Sequence, residues 1–156
     1  MLTARRPGWL SSSYVIEAEG VEIVRLERSW RGTTSLSLAA AAGTYVIDRA
    51  WFSGRYTLSL GERVVARADP ISRWRSDIKL SGEDCVVTLR RAGWLDNAYS
   101  IVGSTGVIGS LKRPGWMSST GSLDLPASVP VLIQCFALAI VLAREAEAAA
   151  TTVAVS

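Results

Sequence analysis

The stretch that decides the fold is Val129-Pro-Val-Leu-Ile-Gln-Cys-Phe-Ala-Leu-Ala-Ile-Val-Leu-Ala143. No charged residue occurs from Leu125 to Ala143, and Gln134 is the one polar break after Pro130. A helix that is apolar on every side must be buried on every side, in protein or in lipid. A spanning helix needs ~20 apolar residues to cross ~30 Å of hydrocarbon. The clean run from Val131 to Ala143 covers roughly 20 Å at ~1.5 Å per residue. Ser128 and Pro130 suit a helix start, as N-cap and first-turn residue. The alternative to lipid is a helix sheathed by its own chain. Strands of five to seven residues, about 17–23 Å long, match its apolar length. Eight-stranded barrels are filled by side chains alone, so a wall around a helix needs more strands.

The remainder of the chain supplies them. Short β-favouring runs, broken by turn residues, begin with Tyr14 to Glu19 and Val21 to Glu27. Thr33 to Ala40, Thr44 to Ala50, Arg55 to Leu60 and Arg63 to Ala68 follow, with Gly61-Glu62 as a hairpin turn. After Asp69-Pro70 come Arg75 to Leu80, Cys85 to Arg90, Ala98 to Val102, Val107 to Lys112 and Ser119 to Leu125. Arg5 to Ser13 reads as a turn. Eleven or so strands at roughly 8–12-residue spacing are the pattern of an all-β sandwich or barrel. The expected fold is therefore all-β with one helix: a closed barrel of about twelve mostly antiparallel strands around a buried hydrophobic C-terminal helix. One domain over residues 1–156 is expected, with strands from about 13 to 125 and the central helix from about 129 to 149.

This order of elements, the strand Gly106-Val-Ile-Gly-Ser-Leu111 and the Asp124-Leu-Pro126 that precedes the helix resemble the tubby C-terminal-like superfamily. That group includes the phospholipid scramblases and the LURP-one-related proteins. The resemblance implies a twelve-stranded barrel closed around a hydrophobic helix, and it implies lipid binding. The phosphoinositide-binding cations of tubby proteins find no residue-by-residue match here. Nor is there an acidic cluster like the calcium-binding segment of scramblases.

A motif recurs within the chain. Arg5-Arg-Pro-Gly-Trp-Leu-Ser-Ser12, Arg90-Arg-Ala-Gly-Trp-Leu-Asp-Asn97 and Lys112-Arg-Pro-Gly-Trp-Met-Ser-Ser119 share two cations and a Gly-Trp step. Paired cations suit phosphate, and Trp suits a headgroup region. The candidate ligand or lipid residues are thus Arg5, Arg6, Trp9, Arg90, Arg91, Trp94, Lys112, Arg113 and Trp116. The plain alternative is a strand corner, with Trp covering the barrel end and the cations standing in water.

Composition narrows the chemistry. Hydrophobic residues form 49% of the 156, charged ones 20%, and the net charge is +3, with 15 Arg against 2 Lys. That is enough apolar content for a core, and the charge is too mild to imply nucleic acid. The chain has no histidine, which removes His-based triads and His metal ligands. Cys85 and Cys135 lie in apolar runs and read as small buried hydrophobes. Gly103-Ser-Thr-Gly-Val-Ile-Gly109 is neither a dinucleotide fingerprint nor a P-loop. It reads as a turn into a strand whose glycine admits another backbone closely. Glu17 and Glu19 read as one solvated strand face.

No enzyme, cofactor or metal is expected. The expected function is a binding or scaffold module for anionic phospholipid or a phosphorylated ligand at the barrel rim. The alternatives are a membrane-anchored, scramblase-like protein with its last helix in the bilayer, and a protein-interaction module. The start of the chain lacks an apolar signal segment, so a cytoplasmic location, with peripheral membrane association as a variant, is the expectation.

Overall fold

The wall is built from twelve strands. They are β1 (Leu2–Arg5), β2 (Ser13–Ala18), β3 (Val21–Arg28), β4 (Thr34–Leu38), β5 (Thr44–Arg49) and β6 (Tyr56–Leu60). The second half holds β7 (Arg63–Pro70), β8 (Ile78–Gly82), β9 (Val86–Arg91), β10 (Ala98–Gly103), β11 (Gly106–Lys112) and β12 (Thr120–Asp124), followed by the helix α1 (Val131–Val155). This computed structural model describes residues 1–7, 13–28, 34–38, 43–50, 52–72, 77–91, 93, 98–113 and 120–155. Each strand pairs antiparallel with its neighbours in sequence, and the sheet closes where β1 meets β12, Leu2 opposite Leu123 and Arg5 opposite Thr120. Closure removes the unpaired edges that an open sheet must protect.

Alternation builds the core. Ile16, Val24, Leu26, Leu36, Leu58, Ile78, Leu80, Leu89, Ile101, Leu111 and Leu123 all point inward, nearly or wholly out of water. They enclose Ile133 to Leu142 of α1, where Phe136, Leu138 and Ile140 are completely buried. Fully burying each such side chain is worth ~1.5–3 kcal/mol. Small residues let the wall approach the helix: Ala4, Ala66 and Ala68 are buried, as are Ala137 and Ala139 on α1. The enclosed helix is the structure expected from the sequence. Among the described residues, no helix is long and apolar enough to cross a membrane.

Three hairpins carry a bulge at matching places. The register slips between Ile16 and Glu17, Leu58 and Ser59, and Ile101 and Val102, which leaves Ile23, Val65 and Ile108 as the extra residues. A bulge adds bend and twist, which helps a sheet to curl shut. Gly109 follows the last bulge. A Cβ there would lie 2.1 Å from the carbonyl oxygen of Asp124, so the close backbone approach expected at this glycine is present.

Several details differ from expectation. The chain start holds a strand, β1, ahead of the first strand expected at about residue 13 and overlapping the turn expected from Arg5 to Ser13 at Arg5 alone; its four residues LTAR alternate too briefly to signal one. Pro130 precedes the helix: its carbonyl accepts from the N–H groups of Ile133 and Gln134, at 3.0 and 3.1 Å. Gln134, the polar break in the apolar run, donates from Nε2 to the Val129 carbonyl at 2.9 Å and so reinforces this start. The helix also continues past 149 to Val155. Thr151 and Thr152 do not end it, because their hydroxyls donate to the carbonyls of Glu147 and Ala148, each at 3.0 Å. Glu19 lies in the β2–β3 turn at φ 52, so it does not share a strand face with Glu17.

Candidate functional site

Strand parity sorts the ends of the barrel. In a closed antiparallel meander, every odd-numbered strand runs toward one rim and every even-numbered strand runs away from it. Arg5, Arg28, Arg49, Arg90 with Arg91, and Lys112 are the closing residues of β1, β3, β5, β9 and β11. Arg6 and Arg113 follow directly, and Arg55 precedes β6. The six candidate cations Arg5, Arg6, Arg90, Arg91, Lys112 and Arg113 are therefore brought to one rim.

The helix leaves the bore at this same rim. Its start is at the opposite end, where a Cβ on Gly82 would meet Ile133 Cδ1 at 2.7 Å. Its second half is tied to the basic rim by Arg113–Glu145 at 3.1 Å and Arg49–Glu147 at 2.7 Å. From Ala148 to Val155 the helix carries no charge.

Trp9, Trp94 and Trp116 lie outside the described residues, as do Trp30, Trp51 and Trp74. Their places in the sequence are informative. The chain has six tryptophans, and they fall one each between β1 and β2, β3 and β4, β5 and β6, β7 and β8, β9 and β10, and β11 and β12. The strand ends that border all of these junctions belong to the basic rim. The threefold Gly-Trp motif is the most regular part of a broader pattern in which an Arg precedes each Trp by one to three residues: Arg28 before Trp30, Arg49 before Trp51, Arg73 before Trp74. Arg28, Arg49 and Arg144 were not among the candidates. Scanning for a cation shortly before every Trp would have found the first two.

Several of these cations are oriented by neighbours. Arg5 pairs with Glu17 at 2.8 Å, Arg90 approaches Asp77 at 3.8 Å, and Arg55 pairs with Asp69. Arg6 donates to the Tyr14 hydroxyl at 2.7 Å and sits over that ring, 5.1 Å from its centroid. Arg49 sits 5.9 Å from the Tyr56 centroid. Burial raises the pKa of the Tyr56 phenol, aided by Glu147 and opposed by Arg49 and Arg144. Burial likewise raises that of the Glu145 carboxyl, against the pull of Arg113, Arg91 and Arg6.

The opposite rim has another character. Glu19, Glu22, Glu62, Glu83, Asp84 and Asp124 are exposed there, with Arg25 and Arg63 engaged by Glu22 and Glu83. Exposed apolar side chains collect at the same end: Met1, Val21, Leu60, Val64, Val86, Val107 and Val131. Phe52, Ile71 and Val153 are the exposed counterparts at the basic rim among the described residues.

Reactive groups are scarce. Burial raises the pKa of both thiols, with Cys135 pushed up to about 12, which keeps them protonated at neutral pH. No three His, Cys, Asp or Glu side chains gather as a metal site among the described residues. What the basic rim offers chemically is a set of guanidinium groups around a helix end, suited to holding anions. Compared with known proteins, the chain matches no family model, no curated protein and no solved structure.

Proposed function

We propose that this protein is a binding module, without a catalytic step, that takes an anionic phosphate-bearing ligand on its basic rim. The ligand class includes a phospholipid headgroup and a phosphorylated small molecule or side chain. A tubby-like kinship and a cytoplasmic setting, where the membrane leaflet is anionic, fit this reading.

One observation carries it: charge divides along the barrel axis. Cations close five of the six odd-numbered strands at one rim, and exposed carboxylates dominate the other. Mean composition, at +3, conceals this division. α1 fills the bore, so ligand recognition falls to the rim. Guanidinium groups make paired hydrogen bonds to phosphate oxygens, and their attraction is screened by salt.

Co-sedimentation with phospholipid vesicles tests the reading. Vesicles containing anionic lipid should carry the protein down at about 0.05 M salt and release much of it at about 0.5 M. Neutral vesicles should not carry it. Changing exposed Arg90 and Lys112 to Ser should weaken retention, while changing Glu62 to Ser should not. Soluble inositol hexakisphosphate separates the two ligand sources. If it displaces the protein from vesicles, a phosphate group suffices; if it does not, the bilayer surface is required. Equal retention by neutral vesicles, or no interaction with either anion, would refute the proposal.

A further inference from the structure

The acidic rim has no part in phosphate binding, yet among the described residues it carries more of the exposed large apolar side chains than the basic rim does. Val21 is 65% exposed and Val107 70% exposed, each at the opening of an odd-numbered strand. Val86 and Val131 stand open at the same end. These positions belong to β3, β9, β11 and α1, so the apolar exposure encircles the mouth where the helix enters. Scattered exposed valines need no explanation, but a set gathered around one mouth of a barrel marks a contact surface.

The molecule also supplies a complement. The exposed acids Glu22, Glu62, Asp84 and Asp124 share that end with the valines, and the opposite rim of the same molecule is basic. That basic rim presents apolar contacts of its own, Phe52 at 97% exposed and Val153 at 76% exposed. We infer that the acidic, valine-bearing end of one molecule docks on the basic end of a second copy. The two surfaces differ, so the contact is head-to-tail. A head-to-tail contact that does not close into a ring propagates, and here it would stack barrels into short rods. Opposite charge steers and orients the contact, while the apolar side chains at its centre lose water. A phosphate-bearing ligand would compete with the second copy for the basic rim. The inference does not require that such a ligand exist.

The test uses the whole chain in buffer free of phosphate and lipid, followed by sedimentation velocity. At about 0.05 M salt the wild type should shift to larger species as its concentration rises, and at about 0.5 M it should return to monomer. One variant carries Arg28→Ser with Lys112→Ser, which weakens the basic face without making it acidic. Another carries Glu62→Gln with Asp84→Asn, which weakens the acidic face without making it basic. Each alone should remain monomeric. Mixed in equal amounts they should form a one-to-one pair and nothing longer, because each retains the face that is weakened in the other. That pairing also shows that both variants are folded. A wild type that stays monomeric at low salt would overturn the inference. So would variants that still self-associate alone, or a mixture that does not pair.

Discussion

The two rims of the barrel are made from the same twelve strands and are held in different ways. At the helix-entry end, backbone and apolar side chains are fitted closely. Gly109 lies against the Asp124 carbonyl, Gly82 against Ile133, and Gln134 secures the first helical turn. At the helix-exit end, α1 is tied to the wall through the ion pairs of Arg113 with Glu145 and Arg49 with Glu147. Fold and ligand presentation thus fall to opposite ends of one barrel. Packing at one end fixes the helix, and this leaves the other end free to present charge. Breaking the first should unfold the protein, and altering the second should change what it binds.

The core shared by both ends gives the largest expected effect. Phe136→Ala removes a wholly enclosed ring and should cost ~3–5 kcal/mol in urea unfolding, with both rims lost together. Gly109→Ala comes next. Its new methyl meets a backbone carbonyl that cannot step aside, so about 1–3 kcal/mol is expected. Gly82→Ala meets only the end of the Ile133 side chain, which can turn away, and should cost clearly less. If Gly82→Ala proves the more harmful, the helix entry is not packed as described.

At the exit rim the changes should be smaller. Glu147→Gln removes a solvent-exposed pair with Arg49, and such pairs are worth about 0–1 kcal/mol. Most of that difference should vanish at high salt. Glu145 supplies the smallest effect and a definite sign. Its folded-state pKa is raised by burial, so the native state holds its proton more tightly than the unfolded chain does. The resulting stabilisation is fully present below the ordinary carboxylate pKa and fades as pH rises through the raised folded value. Glu145→Gln should remove this component from the pH dependence of stability, measured as the difference between variant and wild type across that window. The wild type should therefore lose ground to the variant as pH rises through that window, and a wild type that gains on the variant there would contradict the burial of this carboxyl.

How much of this was legible in the sequence follows from the range of each interaction. The apolar run from Val131 to Ala143 outlasts any plausible surface face, so it demanded enclosure, and its length called for strands of the size observed. The close approach at Gly109 was also readable, because a glycine inside a strand usually marks another backbone nearby. β1 was not legible, since its pairing with β12 joins opposite ends of the chain and leaves no local trace. The extension of α1 beyond 149 was hidden by Thr151 and Thr152, whose hydroxyls bond back to the helix. Among the candidate site residues, the cation pairs of the three Gly-Trp motifs were visible as repeats. That they share a rim follows from the strands between them, eight and then two, an even number whether or not β1 is counted, so it was legible only by counting strands and not from any one motif. The opposed acidic rim had no motif at all: its carboxylates and valines come from separate turns that only the closed sheet assembles.

The most direct test of the division between the rims is hydrogen exchange, measured amide by amide with and without anionic phospholipid vesicles. Added protection is expected at the closing residues of β1, β5, β9 and β11, around Arg5, Arg49, Arg91 and Lys112. None is expected at Val21, Arg63, Val86 and Gly106, where odd-numbered strands begin. Protection confined to the valine-bearing rim, or spread evenly over both, would contradict that division.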